Sequence, residues 1–257
     1  MSVRKKILSV NDISISFGGI KACNNVSFEI NEGEIVSIIG PNGAGKTTVF
    51  NLLTGVYKTE TGEINFNGID ISKNSPQEIV KKGIARTFQN IRLFKNMRVI
   101  ENVLVGAHNQ ISYSLIDSIF RTKKYWNQEA EMLNKGLEVL KKLNLIEKKD
   151  VYTTSLPYGD QRKVEIARAI ATGSKLILLD EPAAGMNPNE TKELSDFVRQ
   201  IRGLGITVLL IEHDMSFVMN LSDRVYVLNQ GEMICSGTPE MIANDPVVIK
   251  AYLGGEI

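Results

Sequence analysis

Cysteine is scarce, with only Cys23 and Cys235 among 257 residues. The two are far apart and lack metal-ligand spacing. Neither a disulfide framework nor a cysteine-bound metal is expected, and each reads as a small apolar residue in a reducing compartment. Long apolar runs are missing too. A stretch such as 206–211 is far short of the ~20 residues that span a bilayer. The opening MSVRKKILSVNDISIS turns polar too soon for a secretory signal. A soluble, cytoplasmic chain is expected, reaching a membrane only through a partner. There is no excess of one charge either: 30 Lys+Arg against 29 Asp+Glu give +1. Bulk charge therefore does not favour nucleic acid as a partner. Repeats, low-complexity tracts and long Pro/Ser linkers are absent from the sequence.

What is present is enough apolar material for a sizeable core: 43% of the residues are hydrophobic. The length suggests one or two domains. Short, continuously apolar stretches at 35–39, 176–179, 206–211 and 225–228 have the character of strands buried on both faces. Helical patterns alternate with them, which predicts a largely parallel sheet covered by helices. The opening differs: 9–17, 26–30 and 62–67 suggest antiparallel strands. From about 90 to 160 clear strands give way to amphipathic helical patterns, with Ala130, Leu133, Leu137 and Leu140 separated by charged residues. This segment reads as a helical subdomain inserted into an α/β core made of 1–89 and 161–257. Its least regular part, 109–127, reads as a surface excursion or a partner contact.

After the strand at 34–39 comes Gly40-Pro-Asn-Gly-Ala-Gly-Lys-Thr-Thr48, followed by a helical run at 48–53. This is the G-x-x-x-x-G-K-T pattern between a strand and a helix. Its glycines let the backbone wrap phosphates without a clashing Cβ. Amides of Asn42, Gly43, Ala44, Gly45, Lys46, Thr47 and Thr48, at a positive helix N-terminus, would hold the anion. Lys46 should reach the β- and γ-phosphates of ATP, and the Thr47 hydroxyl should ligate Mg²⁺. Further along, Lys175-Leu-Ile-Leu-Leu-Asp180 is an apolar strand ending in a carboxylate, with Glu181 next. A parallel strand exposes its C-terminal end at the ligand crevice. Asp180 is placed to hold Mg²⁺ through its water shell, and Glu181 to polarise the water attacking the γ-phosphate. An isolated Asp-Glu pair would ordinarily be a solvated turn; the preceding buried strand and the phosphate loop favour the functional reading.

With these residues in view, essentially the whole chain resembles the ATPase subunits of ABC transporters. Gln89 in Arg-Thr-Phe-Gln resembles the glutamine that approaches Mg²⁺ and signals to the partner. His213, after the strand at 207–211, resembles the switch histidine that contacts the γ-phosphate. Phe17 resembles the aromatic that stacks on adenine, with a core phenylalanine as the alternative. The stretch 180–187 resembles the family's Walker B end followed by its D-loop, which here ends in Asn187 rather than the common aspartate. The signature segment reads Leu156-Pro-Tyr-Gly-Asp160 where the family commonly has LSGGQ. Gly159 is kept, but Pro157 offers no hydroxyl and no N–H. These departures bear on turnover, not on the fold. The resemblance implies a P-loop NTPase core with an antiparallel β subdomain and a helical insert.

One P-loop and one signature segment per chain imply a working homodimer, or a heterodimer with a second ABC ATPase. In the family each nucleotide is sandwiched between the two elements from opposite subunits. Residues 83–104, Tyr158-Gly159, 181–188 and the tail 228–254 resemble, in particular, the larger ATPase of bacterial and archaeal branched-chain amino acid importers. That resemblance implies two transmembrane permeases and, indirectly, an extracytoplasmic binding protein. Importers of urea or short amides carry very similar ATPases, and an exporter or a soluble non-transport ABC ATPase are further alternatives. A regulatory module with a degenerate ATP site is disfavoured by intact Lys46, Thr47, Asp180, Glu181 and His213. Ile91, Leu93, Phe94, Met97, Val99 and Ile100 follow Gln89 directly. Some should pack the subdomain, and a subset is expected to line a groove for a permease helix. Thr238-Pro239 reads as a helix cap followed by its first helical residue.

Overall fold

The computed structural model describes residues 5–110 and 112–253, excluding the side chains of residues 110 and 253. Gly254 of the tail and the first four residues of the opening stretch lie outside this range. The chain forms two compact units, 1–89 with 175–257, and 90–174.

The first unit holds two sheets. Strands β1 (Lys6–Phe17), β2 (Ile20–Asn31), β4 (Thr61–Phe66) and β5 (Ile69–Asp70) form an antiparallel sheet in the order β2-β1-β4-β5. The second sheet contains β3 (Ile35–Ile39), β6 (Ile84–Arg86), β7 (Leu176–Asp180), β8 (Thr207–Ile211), β9 (Arg224–Asn229) and β10 (Glu232–Gly237). Its order is β10-β9-β3-β8-β7-β6, parallel except for the β9–β10 pair. Every residue of β3, β7 and β8 is buried. That is why these strands read as largely apolar runs, with Ser37 in β3, Thr207 at the start of β8 and Asp180 at the end of β7 as their polar members. The core joins side chains of both sheets, among them Leu8, Phe28 and Phe66 with Ile38 and Leu178, around Phe50.

Helices α1 (Lys46–Leu53), α2 (Pro76–Lys82), α7 (Pro188–Gly203), α8 (Met215–Leu221), α9 (Pro239–Ala243) and α10 (Pro246–Leu253) complete this unit. Thr238 caps α9 by accepting the Met241 amide, with Pro239 at the first helical position. Cys23 is buried and free, and burial pushes its thiol up to about 12, as befits an inert packing residue. Strands β6 and β10 escape a search for apolar runs. One has three residues and ends in arginine; the other is an edge strand, half-exposed along most of its length.

The second unit contains α3 (Val99–Ala107), α4 (Leu115–Phe120), α5 (Lys123–Lys142) and α6 (Tyr158–Ala171). Its far boundary is at 174 rather than the expected 160, because α6 packs along α3 and touches α5. Gly106 lets α3 approach α6: a Cβ there would lie 2.1 Å from the Arg168 carbonyl oxygen. Asn102, fully buried, donates to Phe94 O at 3.1 Å and accepts the Phe94 amide at 2.8 Å. Within α5 the buried positions are Gly136 and Leu140, whereas Ala130 and Leu133 are exposed. The expected stripe is thus correct only toward the C-terminal end, where Gly136 meets α3 at Leu104. The irregular stretch contains α4, whose six residues include none that is buried. Among the described residues, no helix is long and apolar enough to cross a membrane.

Candidate functional site

The loop between β3 and α1 is shaped by three glycines with positive φ: Gly40 at 152°, Gly43 at 80° and Gly45 at 101°. Two of them are also required by space. A Cβ on Gly40 would sit 2.0 Å from Leu228 O, and one on Gly45 2.4 Å from Ala22 O. The loop is therefore pressed onto the sheet and can present its backbone outward. Val49 makes the bond to Gly45 O at 3.0 Å, and Gly45 offers no side-chain cap. The amides of Lys46, Thr47 and Thr48 thus precede the helical ladder and can serve an anion.

These residues, with Asn42, Gly43, Ala44, Gly45 and Glu181, line a cavity of about 490 Å³. Lys46 is 8% exposed, and its ammonium donates to Gly40 O at 2.7 Å and Pro41 O at 3.0 Å. Burial lowers its pKa, while the charges of Glu181 and Asp180 act the other way. A cation is thus folded over its own loop, beside two carboxylates, at the mouth of an anion cradle.

Asp180 ends β7 and is 7% exposed. Its Oδ2 accepts from the Arg86 guanidinium at 2.5 Å, with both side chains at most one-tenth exposed. Arg86 also donates to Asn51 Oδ1 at 2.7 Å, and its guanidinium lies 5.5 Å from the Phe50 ring and 5.2 Å from the Phe88 ring. This buried arginine between two aromatic rings was not expected from the sequence. Its only signal there is a cation closing the short apolar stretch 84–85.

Glu181 has φ of +44°, a strained conformation for a residue with a side chain. Its amide donates to Ile211 O at 3.0 Å, fastening the bend to β8. Glu181 Oε2 accepts from Gln89 Nε2 at 2.6 Å, and the Nδ1 of His213 is 3.8 Å from the same oxygen. Three residues named from separate motifs thus meet at one carboxylate oxygen. Beneath them, Glu212 is 1% exposed and accepts the Ala183 amide at 2.8 Å and the His213 amide at 3.2 Å. Burial pushes its pKa up. Glu212 is a second residue missed in the sequence, where its only mark is its place between β8 and His213.

Phe17 is 43% exposed, so it is not a core phenylalanine. Its ring lies 5.0 Å from that of Tyr57 at a tilt of 59°, which makes an exposed aromatic pair. Gly159 lies in the other unit, in the first turn of α6. Pro157 is the N-cap of that helix and supplies no side-chain bond. Asp160 Oδ2 accepts from Lys148 at 2.5 Å. Asn187 caps α7, its side chain accepting the amides of Asn189 at 3.0 Å and Glu190 at 3.1 Å. Asparagine can do this as well as aspartate.

The donor set near the cradle is all oxygen: the Thr47 hydroxyl, the Asp180 carboxylate and the Gln89 amide oxygen. Such donors, with one carboxylate, fit Mg²⁺ bound together with phosphates. Among the described residues no cluster of three His, Cys, Asp or Glu could hold a metal alone. A cation here would have to arrive with its anion.

A glycine-shaped phosphate cradle behind β3, with a carboxylate pair at the end of β7, defines a P-loop nucleoside triphosphatase. The family described as ABC transporter matches residues 23–184. The chain belongs to that family, as an ATP-binding, ATP-hydrolysing subunit. A second profile, described as branched-chain amino acid ATP-binding cassette transporter, matches residues 232–257. The chain is 48% identical over 249 residues to the Escherichia coli high-affinity branched-chain amino acid transport ATP-binding protein LivG, covering 96% of this chain and 98% of that protein. Its fold is similar to the ADP conformation of an ATP-binding cassette of an ABC transporter, with a TM-score of 0.85, 36% identity, and coverage of 97% and 99%. It is also similar to a dimeric cassette in a post-hydrolysis state bound to ADP and Pi, with a TM-score of 0.72, 25% identity, and coverage of 91% and 99%.

Proposed function

We propose that this chain drives an importer for branched-chain amino acids, hydrolysing ATP with Mg²⁺ while docked on membrane permeases at the inner face of the cell membrane. The observation that carries the enzymatic part is the meeting of Gln89 and His213 at Glu181 Oε2, beside the phosphate cradle. The cargo rests on the likeness to LivG and on the tail profile.

In this reading the amides of 43–48 and the Lys46 ammonium hold the β- and γ-phosphates, and Phe17 stacks on adenine. Lys46 leaves its carbonyl partners for the phosphates when they arrive. Thr47, Asp180 and Gln89 would hold Mg²⁺, which supplies neutralisation of phosphate charge. Glu181 is the general base. Its Oε2 is held by Gln89, so Oε1 is left to take the proton of the attacking water. Water oxygen bonds to the γ-phosphorus, the bond to the β–γ bridging oxygen breaks, and ADP leaves with that electron pair. His213 steadies the γ-phosphoryl group. Gly159 belongs to the signature segment and acts on the nucleotide held by a second cassette, identical or homologous. Closure of that sandwich adds stabilisation available only in the closed state.

Phe94 is the candidate contact for a permease helix. It is 48% exposed, its backbone is fixed by Asn102 and Thr153, and the Arg168 guanidinium lies 5.8 Å from its ring. The decisive experiment is a pull-down of tagged Glu181→Gln chain from detergent-solubilised source membranes with ATP and Mg²⁺. Two multi-spanning permeases and a second cassette are expected, and permease recovery should be lost or sharply reduced when Phe94→Asp is added, with ATP binding intact. Recovery of soluble partners or nucleic acid alone would overturn the transporter assignment and leave the ATP site standing.

A further inference from the structure

The segment 112–128 spends its polar groups on holding a small apolar helix outward. The amides of Ser112 and Tyr113 both donate to Gln128 Oε1, at 3.0 and 3.1 Å. Tyr113 Oη donates to Glu129 Oε1 at 2.7 Å, and its ring packs edge-on against Tyr125 at 5.1 Å. Ser114 and Asp117 form a capping box at the start of α4, and Thr122 caps α5 while donating to Asp117 Oδ1 at 2.9 Å. With both ends stapled, α4 has little freedom to fold its apolar side chains underneath itself.

Those side chains stand clear of the protein. Leu115 is 83% exposed, Ile116 67%, Ile119 75% and Phe120 75%. Trp126, one turn into α5 and six residues beyond Phe120, is 56% exposed, its ring edge-on to Tyr125. A groove that receives a protein helix half-buries the side chains lining it; exposures of this size belong to side chains that project. The exposed charge on α4 and the first turn of α5 is mainly positive. Arg121, Lys123 and Lys124 are exposed beside the patch. Asp117 is the one acidic residue between 112 and 128; its side chain is 20% exposed, and the Lys124 ammonium lies 4.0 Å from its Oδ2, which leaves Arg121 and Lys123 as the cations without an acidic neighbour among the described residues of this segment. The Ser114 amide and hydroxyl and the Thr122 hydroxyl hold the Asp117 carboxyl below its ordinary value. Projecting aliphatic and aromatic side chains, a tryptophan shortly after them in the chain and flanking cations are the composition of an interfacial membrane contact.

We infer that α4 and the start of α5 form a lipid-binding wedge that inserts Leu115, Ile116, Ile119 and Phe120 into a bilayer surface bearing acidic headgroups. The cations contact the headgroups and the aliphatic tips enter the acyl boundary. One short helix gives a weak, reversible contact, comparable with a single lipid anchor rather than a spanning segment. Such a contact would orient the helical unit against the membrane independently of any permease.

Trp126 is the only tryptophan of the chain, so intrinsic fluorescence reports on this patch without a label. The purified full chain is mixed with phosphatidylcholine vesicles, with and without about a quarter phosphatidylglycerol. The wedge predicts a blue shift of tryptophan emission, quenching by brominated acyl chains, and co-sedimentation at least about tenfold stronger with the acidic vesicles. Ile119→Asp with Phe120→Asp should abolish all three while nucleotide binding and thermal melting stay unchanged. Lys123→Glu with Lys124→Glu should remove the preference for acidic lipid. Absence of any shift or sedimentation would overturn the inference, as would undiminished binding by the Ile119/Phe120 variant. Association seen only after permeases are reconstituted would also overturn it, by assigning the patch to a protein partner. The assay contains no permease, so its failure leaves the transport proposal untouched.

Discussion

Arg86→Met removes the cation that faces Asp180 and leaves the carboxylate where it is. The pair is close, at 2.5 Å, and both side chains are at most one-tenth exposed. Stripping one partner from a buried ion pair costs about 3–5 kcal/mol, because the other charge stays buried and uncompensated. Two further losses add to this, the hydrogen bond to Asn51 and the stacking between Phe50 and Phe88. Lys46 works in the opposite direction. It feels the charge of Asp180 and can lean toward it, which pulls the cost to the lower end, about 3 kcal/mol. At about 2–4 °C per kcal/mol for chains of this size, the nucleotide-free variant should melt roughly 6–12 °C below wild type. Differential scanning fluorimetry without nucleotide or metal measures this directly. Adding Asp180→Asn to Arg86→Met removes the orphaned charge and should recover most of the loss. A single variant melting within about 1 kcal/mol of wild type would refute the reasoning, since the pair would then be dispensable.

Gly45→Ala should abolish nucleotide binding measured with a fluorescent ATP analogue, because its Cβ would lie 2.4 Å from Ala22 O at a φ of 101°. Retained affinity would show that the loop can lift off the sheet. Burial raises the pKa of Glu212, so this group favours the fold fully below its unfolded value and loses that contribution as pH rises through its folded value. Glu212→Gln removes the titration, and its melting temperature relative to wild type should improve from about pH 5 to about pH 8. A constant difference across that range would contradict the assignment. Pro157→Ser gives the helix that carries Gly159 a hydroxyl at its N-cap. If the signature segment reaches a phosphate, steady-state ATPase should rise about tenfold, the worth of one charge-assisted hydrogen bond. Unchanged or lower turnover would count against that contact.

The parts legible in the sequence are those encoded over a few consecutive residues. The phosphate motif is nine consecutive residues running from the end of a strand into the first turn of a helix, and two of its glycines, Gly40 and Gly45, stand where backbone contact with Leu228 and Ala22 leaves no room for a Cβ. Strands β3, β7 and β8 are buried on both faces and therefore read as predominantly apolar runs. The cap at Thr238 and Pro239 is equally local. What stayed hidden depends on partners distant in sequence. Arg86 acquires meaning only when β6 is laid beside β7 and Asp180 arrives from 94 positions away. Glu212 is unremarkable until the Ala183 amide is brought onto it. The far boundary of the helical unit was misread because α6 starts with a polar segment; its membership is decided by packing on α3. Asn187 is the reverse case. What looked like a departure in the D-loop is a helix cap, which asparagine fills without loss.

The contact at Gly106 also bears on how force passes within the helical unit. Helices normally meet through side chains, which act as compressible bushings and let one element shift while the other lags. Here α3 rides directly on the backbone of α6, with no cushion between them. Arg162 and Glu165 are pinned inside the same unit at 2.7 Å, both nearly inaccessible to solvent. A displacement applied at the Gly159 end of α6 would therefore reach α3 with little backlash, as through a lever rather than a spring. A methyl group at Gly106 would collide with the Arg168 carbonyl oxygen, at 2.1 Å, and force the two helices apart; that loosens the linkage, and ATP hydrolysis would be expected to continue while the work it performs on a partner falls away.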